Sequence, residues 1–446
     1  LMKKIHNPRQ LAVITLNELE EKGDFLREVL DLHSRQNDLS PLDQGLYTEL
    51  VYGTVRMRRN LDYVISSFSS RPLTKVTPAI LNVLRSAVYQ ILYLERVPAH
   101  AAVNEAVKLA RIFGHEGVAK FTNGLLRQLI RKKDTISYPD WERDPVLHLG
   151  LKYSFPSWMV EHWLSWLGPT ETAMLCQALN ETPKLNIRVN TVKTSVPELR
   201  DYLTEQGISS APGKFAPDVL EVSPAGHVVK DQALARGMYY IQDESSALAA
   251  HALQVEAGQT VYDLCSAPGG KTTHLAQLMN NQGQIFAFDA SGNRLALVEE
   301  NARRLGITII ETTIRDATET WNLPPGPRVL VDAPCSGLGT MNHRPDIRWN
   351  KTPQEIKELV NLQRKILSAA SKAVAPGGLL LYSTCTLTKD ENQDVAHWFL
   401  QEHTDFSGAS FPAWFPPGKT EWMRTILPHH HGLDGFFLAV FRKQRR

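Results

Sequence analysis

Apolar positions recur at helical spacing through the front of the chain. From residue 8 to about 133 they fall at i, i+3, i+4 and i+7: Leu46, Leu50, Val51 and Val55, then Val103, Ala106, Val107 and Ala110, then Phe121, Leu125, Leu126, Leu129 and Ile130. Ser40-Pro41-Leu42-Asp43 reads as a helix start, with Ser40 as N-cap and Pro41 in the first turn. Residues 134–170 carry Pro139, Pro145 and Pro156 and read as a connector with one helix, Ser157 to Leu167. Trp158, Trp163 and Trp166 there suit packing better than base stacking. Residues 183–240 change character. LNIRVNT (185–191), VLEVS (219–223) and MYYIQD (238–243) predict strands, and SVPELRDYLTEQG (195–207) predicts a capped helix ending at Gly207. Asn186, Arg188 and Asn190 give the first strand one polar face, suited to an RNA groove or simply to solvent. Beyond residue 244, TVYDLCS, QIFAFDA, ITIIETT, RVLVDAP and LLLYSTC alternate with helical patterns, which predicts a parallel, doubly wound sheet. GFFLAVFRK (435–443) predicts an antiparallel strand at or near its edge. The expected division is a helical domain over 1–140, a helical connector over 141–182, an α+β subdomain over 183–240 and an α/β domain over 241–446.

Composition narrows the class. A chain of 446 residues with 43% hydrophobic content fits a globular protein of several domains. No apolar run approaches the roughly 18 residues that span a bilayer. The run from Leu11 to Leu16 is broken by Asn17 and Glu18, too short for a secretory signal. Leu1 ahead of Met2 reads as a start-site artefact. The four cysteines, Cys176, Cys265, Cys335 and Cys385, form no CxxC pair. That argues against a zinc knuckle or disulfide framework and for a reducing, cytoplasmic setting. A monomer with neither metal nor membrane partner is expected. Residues 1–133 hold 20 Lys and Arg against 13 Asp and Glu, a surplus of +7 in a chain whose total is +2. A basic front end suggests a polyanion partner. Its clusters are Arg56, Arg58, Arg59 and Arg127, Arg131, Lys132, Lys133. Each ends a helical pattern, where cations also complement the helix dipole.

In a parallel α/β sheet, ligands sit beyond the carboxyl ends of the strands. After the first such strand, Cys265-Ser266-Ala267-Pro268-Gly269-Gly270-Lys271 forms a tight turn into a helix. It is neither GxGxxG nor GxxxxGK[ST], which weakens the dinucleotide and nucleoside-triphosphate readings. Asp289 follows the second strand, placed for ribose hydroxyls. Asp316 follows the third, placed to accept from an adenine amino group. Together they describe a pocket for an adenosine-containing ligand without a phosphate cradle, and S-adenosylmethionine fits. The fourth strand ends Asp332-Ala333-Pro334-Cys335 and the fifth Ser383-Thr384-Cys385, so two thiols converge beside the cofactor. Free cysteine is usually buried packing, and two at adjacent strand ends match that poorly. Cytosine C5 is a weak nucleophile. A thiolate added at C6 turns the ring into an enamine that can attack a methyl group. Methylation of an exocyclic amine needs no thiol. A free thiol is only a few per cent ionised at neutral pH, and Lys271, Arg344 or Arg348 are candidates to lower its pKa.

These motifs resemble the RNA cytosine-5 methyltransferases of the Sun/Fmu type. The resemblance rests on CSAPGGK (265–271), DAPCSG (332–337), RPDIRW (344–349) and STC (383–385). It implies that Cys385 is the nucleophile, that Cys335 assists product release, that Asp332 contacts the target base near the cofactor, and that Lys271 lines the same pocket. VNEAVKLAR (103–111) and FTNGLLRQLIR (121–131) resemble the antitermination-factor family with the NusB fold, an all-helical RNA-binding module. The module order resembles family members that methylate a cytosine of small-subunit ribosomal RNA. A transfer-RNA enzyme of the same catalytic type and a non-catalytic RNA-binding or antitermination factor are the alternatives. Cys176 reads as core and Cys265 as bulk in the cofactor turn. His429, His430 and His431 read as a loop rather than a metal site.

Overall fold

A computed structural model describes residues 5–23, 25–319 and 324–445. Leu1 and Met2 lie outside them. The chain forms two compact units, Leu1–Asn180 with His343–Asn350, and Glu181–Asn342 with Lys351–Arg446. Among the described residues no helix is long and apolar enough to cross a membrane.

The first unit is helical, as the periodicity predicts. Helices Pro41–Arg56, Ala99–Ile112 and Glu116–Lys132 surround Pro78–Tyr93. The last is buried on most sides: Val83, Leu84, Ala87 and Val88 meet Leu11, Leu50, Leu61 and Leu126 in one core. Ser40 caps its helix through the Asp43 amide, with Pro41 in the first turn. The connector carries the expected helix, Ser157–Leu167, and two more, Pro145–Lys152 and Pro169–Ala178. Trp163 is fully buried, its ring edge-on to Phe155 at 5.3 Å. Cys176 is core, and burial pushes its thiol up to about 12.

One basic cluster is only partly open to solvent. Arg56 is 8% exposed, and its carbonyl accepts from Arg348 at 3.1 Å. Arg59 donates to Ser157 Oγ at 2.9 Å and to the Phe155 carbonyl. The Arg58 guanidinium lies 4.4 Å above the Trp349 ring. The cations expected to meet RNA at 56–59 thus also pack the unit itself, Arg56 buried and Arg58 and Arg59 half-buried. Arg348, a candidate for lowering a thiol's pKa, also packs this unit. It is fully buried and donates to the Ser154 carbonyl at 3.2 Å and Asn180 Oδ1 at 2.9 Å. Arg127, Arg131, Lys132 and Lys133 are all exposed at the end of Glu116–Lys132 and just beyond it.

The second unit contains two sheets. The smaller is antiparallel, ordered β2-β3-β1-β4, from β1 Leu185–Val189, β2 Ser209–Pro212, β3 Val219–Ser223 and β4 Tyr239–Ile241. Its helix Val196–Glu205 opens with a capping box between Ser195 and Glu198. The polar face of β1 is buried rather than solvated, with Asn186 at the edge of a cavity. Arg188 is fully buried, donating to Gln242 Oε1 at 2.5 Å and Thr273 Oγ1 at 3.0 Å. Asn190 donates to the Gly237 and Leu305 carbonyls at 2.7 and 2.8 Å. Polar residues at alternate positions fit burial because backbone and side-chain acceptors of the α/β domain meet them.

The larger sheet is ordered β10-β12-β9-β8-β5-β6-β7. Its strands are β5 Thr260–Asp263, β6 Gln284–Asp289, β7 Ile310–Ile314, β8 Gly326–Asp332, β9 Val374–Thr384, β10 Phe406–Gly408, β11 Met423–Ile426 and β12 Phe436–Lys443. From β9 to β7 it is parallel, while β12 runs antiparallel to β9, β10 and β11. The predicted last strand thus lies one strand in from the edge. Buried cores cover both faces, Val261, Leu330 and Leu381 on one and Val329, Val331 and Tyr382 on the other. Two-sided burial is why these strands read as continuous apolar runs. The histidine tract is a helical turn, Pro428–His431, and not the expected loop.

Candidate active site

The site forms where β5, β8 and β9 end. β8 and β9 are parallel neighbours, with Asp332 opposite Ser383 in register. Each strand stops in a polar turn, so Cys335 and Cys385 emerge on the same rim. Their sulfurs are 3.5 Å apart, and each residue is partly exposed. The thiol of Cys335 is pushed well above its ordinary value, first by its hydrogen bond with Cys385 and then by burial. It therefore stays neutral and can donate to the neighbouring sulfur.

Lys271 and Asp332 complete the rim. Lys271 Nζ donates to Asp332 Oδ2 at 2.7 Å, and Ser383 Oγ donates to Asp332 Oδ1 at 2.8 Å. Burial opposes the lysine's charge, but Asp332 and the Cys385 sulfur outweigh it and raise its pKa. A fixed cation thus faces the sulfur side of the pocket. Beneath it, burial pushes Asp263 up to about 7, and Thr272 Oγ1 donates to it at 2.7 Å.

The turn after β5 lines a cavity of about 230 Å³ with Tyr240, Gln242, Asp243, Cys265, Ser266, Ala267, Pro268, Gly270, Lys271 and Asp332. Gly269 has φ of +100°, a conformation that favours glycine. A Cβ there would also meet the Val298 backbone at 3.0 Å. Asp289, 6% exposed, accepts from the Ser291 amide at 3.0 Å and the Ala267 amide at 3.4 Å. Asp316 is exposed beyond β7 and binds the Thr318 amide and hydroxyl, both at 2.8 Å. Burial and nearby carboxylates raise the Cys265 thiol well above its ordinary value, which keeps it neutral.

A family model for 16S rRNA methyltransferase RsmB/F matches residues 250–442. The NusB family model matches 6–131, and a ferredoxin-like domain of RsmF/B-like methyltransferases matches 155–228. The chain is 39% identical to the probable ribosomal RNA small subunit methyltransferase B of Synechocystis sp., over 98% of this chain and 99% of that one. It is 38% identical to the probable enzyme of that name from Bacillus subtilis, over 99% and 100%. The chain belongs to the ribosomal RNA small subunit methyltransferase B family. This is a family of S-adenosylmethionine-dependent ribosomal RNA methyltransferases. The crystal structure of PH0851 matches 99% of this chain and all of that one at 29% identity, with a TM-score of 0.79. That of NSun6 from Pyrococcus horikoshii with SFG matches 66% of this chain and all of that one at 25% identity, with a TM-score of 0.61.

Membership explains the order of modules: NusB-like helices, a small ferredoxin-like sheet and a Rossmann-like catalytic domain. The structure brings Cys335, Cys385, Asp332, Lys271 and the 265–270 turn together at one rim. Asp289 lies against that turn, and Asp316 lies at the next strand end outward. Sequence reading passed over a buried polar cluster under the two thiols, made of Ser336, Gln363, Thr386, Thr388, Glu391 and Asn392. The signal available was a run of polar residues, Thr386 to Asn392, directly after an apolar strand.

Proposed function

We propose that the protein methylates C5 of one cytosine in small-subunit ribosomal RNA, with Cys385 as nucleophile. The observation that carries this reading is the 3.5 Å approach of two thiols beside the cavity at the end of β5. The turn 265–271, Asp289, Asp316 and Asp332 would hold S-adenosylmethionine. Hydrogen-bonding carboxylates, a glycine turn open to close approach and a single lysine suit an adenosine and amino-acid ligand better than a polyphosphate. The SFG of the NSun6 relative, an analogue of this cofactor, is consistent with that assignment. When bound, the cofactor supplies an electrophilic methyl group.

The chain's own residues do the rest. The Cys385 thiolate forms a bond to C6, and the C5–C6 π electrons move into the ring. Asp332, held by Lys271 and Ser383, contacts the base as charge shifts. C5 then takes the methyl group. Loss of the C5 proton to a base restores the double bond, and Cys385 departs as thiolate. The neutral Cys335 thiol assists that departure. The exposed cations Arg127, Arg131, Lys132 and Lys133 are proposed to meet RNA phosphates.

Bisulfite mapping of ribosomal RNA with and without the protein tests the target. A single protein-dependent 5-methylcytosine is expected, and no methyl transfer to any RNA would favour a non-catalytic RNA-binding factor. Cys385→Ala should abolish turnover while retaining cofactor binding. Cys335→Ala should accumulate a covalent protein–RNA adduct on a denaturing gel. Full activity of Cys385→Ala would overturn the assignment of the nucleophile.

A further inference from the structure

Glu391 is fully buried directly beneath the two cysteine turns. Five neutral donors converge on its carboxylate. Oε1 accepts from the Ser336 amide at 2.8 Å and Gln363 Nε2 at 3.1 Å. Oε2 accepts from the hydroxyls of Ser336 at 2.5 Å, Thr388 at 2.7 Å and Thr386 at 3.3 Å. Ser336 follows Cys335 in the chain, and Thr386 follows Cys385. The residues after the two thiols, on turns from different strands, thus share one carboxylate, and their hydroxyls lie 2.6 Å apart.

The surroundings fix Glu391 in turn. The Tyr382 hydroxyl donates to its carbonyl at 2.6 Å. Gln363 also donates to the Pro334 carbonyl at 2.9 Å, holding the residue before Cys335. Asn392 accepts from Thr384 Oγ1 at 2.5 Å and donates to the Thr386 carbonyl at 2.9 Å, holding both neighbours of Cys385.

We infer that Glu391 is a positioning residue for methyl transfer, tying the Cys335 turn to the Cys385 turn and setting the spacing of their sulfurs. A buried charge is a costly way to fill space, and an apolar group of similar volume often serves stability as well or better. A carboxylate does what an apolar group cannot: it accepts from several donors at once and so joins two backbone turns. Its negative charge also adds to the forces that keep the Cys335 thiol neutral. This inference rests on the reading that both thiols act in the reaction.

The test measures single-turnover methyl transfer to ribosomal RNA and S-adenosylmethionine affinity for the full chain and two variants. Glu391→Ala is expected to lower the single-turnover rate about 100-fold, the scale of an ångström-level misplacement, with cofactor affinity unchanged. Glu391→Gln keeps an acceptor for the Ser336 amide, and two of the three hydroxyls on the other oxygen can rotate to accept from the two N–H groups of its amide. It is expected to recover most of the rate while moving the pH profile, because the charge beside Cys335 is gone. A wild-type rate for Glu391→Ala, or equal losses of rate and cofactor affinity, would overturn the inference. Should the Ala variant not fold, the Gln variant decides: an unshifted pH profile overturns the role. Wild-type activity of a parallel Cys385→Ala control would sink the thiol reading itself, whatever Glu391 does.

Discussion

Asp218 and Glu391 are both buried carboxylates of the second unit, and their partners differ in kind. Glu391 is met by an amide, a carboxamide and three hydroxyls, none of which titrates near neutral pH. Asp218, just before β3, is met by His251 Nε2 at 2.9 Å, His274 Nε2 at 2.7 Å and Gln277 Nε2 at 2.9 Å. Those three residues stand on the helices Glu244–Ala252 and Gly270–Leu278. Asp218 therefore fastens the small sheet to the α/β domain, and the imidazoles hold its pKa well below the carboxylate range against the effect of burial. A clamp made with imidazoles responds to pH. Hydroxyl and amide donors keep their protons across the neutral range, which suits a group beneath reacting thiols.

Removing each carboxylate is the strongest way to break this contrast. Asp218→Ala leaves the imidazole N–H groups of buried His274 and half-buried His251 and a carboxamide without their acceptor, at about 1–3 kcal/mol each where they find no substitute. We expect a loss of about 3–5 kcal/mol in denaturant unfolding, with methyl transfer by the folded fraction little changed. Glu391→Ala should cost less stability, about 1–3 kcal/mol, because its hydroxyl donors can turn to other acceptors. A larger stability loss for Glu391→Ala than for Asp218→Ala would reverse the contrast.

Acid sharpens it. Burial lowers His274 from its ordinary 6.5 to about 4. The unfolded chain then binds more protons than the folded one between those values. His274 therefore supports stability fully above pH 6.5, and the support is lost as pH falls towards 4. The loss is of order 3 kcal/mol. Denaturation midpoints should fall across this window, and His274→Gln, which keeps a donor but cannot titrate, should flatten the fall. An equal slope in the variant would assign the acid sensitivity elsewhere.

The parallel sheet and its thiols were legible in the sequence because strand ends announce themselves. An apolar run stops at Asp332-Ala333-Pro334-Cys335 or Ser383-Thr384-Cys385, and the fold places such stops on one rim. Residues that are polar because of a distant partner were not legible. Nothing near Arg188 in the chain foretells Gln242 and Thr273, so a buried donor looked like part of a face for RNA or for solvent. Glu391 was passed over because its acceptor role is met from Ser336 and Gln363, 55 and 28 residues back. The catalytic assignment of Cys385 over Cys335 came from family resemblance. The geometry alone is close to symmetric in the two sulfurs.

The two basic clusters of the first unit give the smallest effects and separate charge from exposure. In sequence, Arg56, Arg58, Arg59 and Arg127, Arg131, Lys132, Lys133 look alike. In the fold, Arg59 is bound to Phe155 and Ser157, whereas the second group is exposed. Arg59→Ala should therefore cost about 1–3 kcal/mol of stability, as its buried acceptors lose their donor. Neutralising the four exposed cations should leave stability within about 0.5 kcal/mol. It should instead flatten the salt dependence of RNA binding, by about 0.7 in log–log slope for each cation that meets a phosphate of single-stranded RNA. Titrating labelled RNA at several salt concentrations reads this directly. An unchanged slope would make the second cluster a solvated helix end whose cations only complement the helix dipole, and the RNA path would have to run over another face.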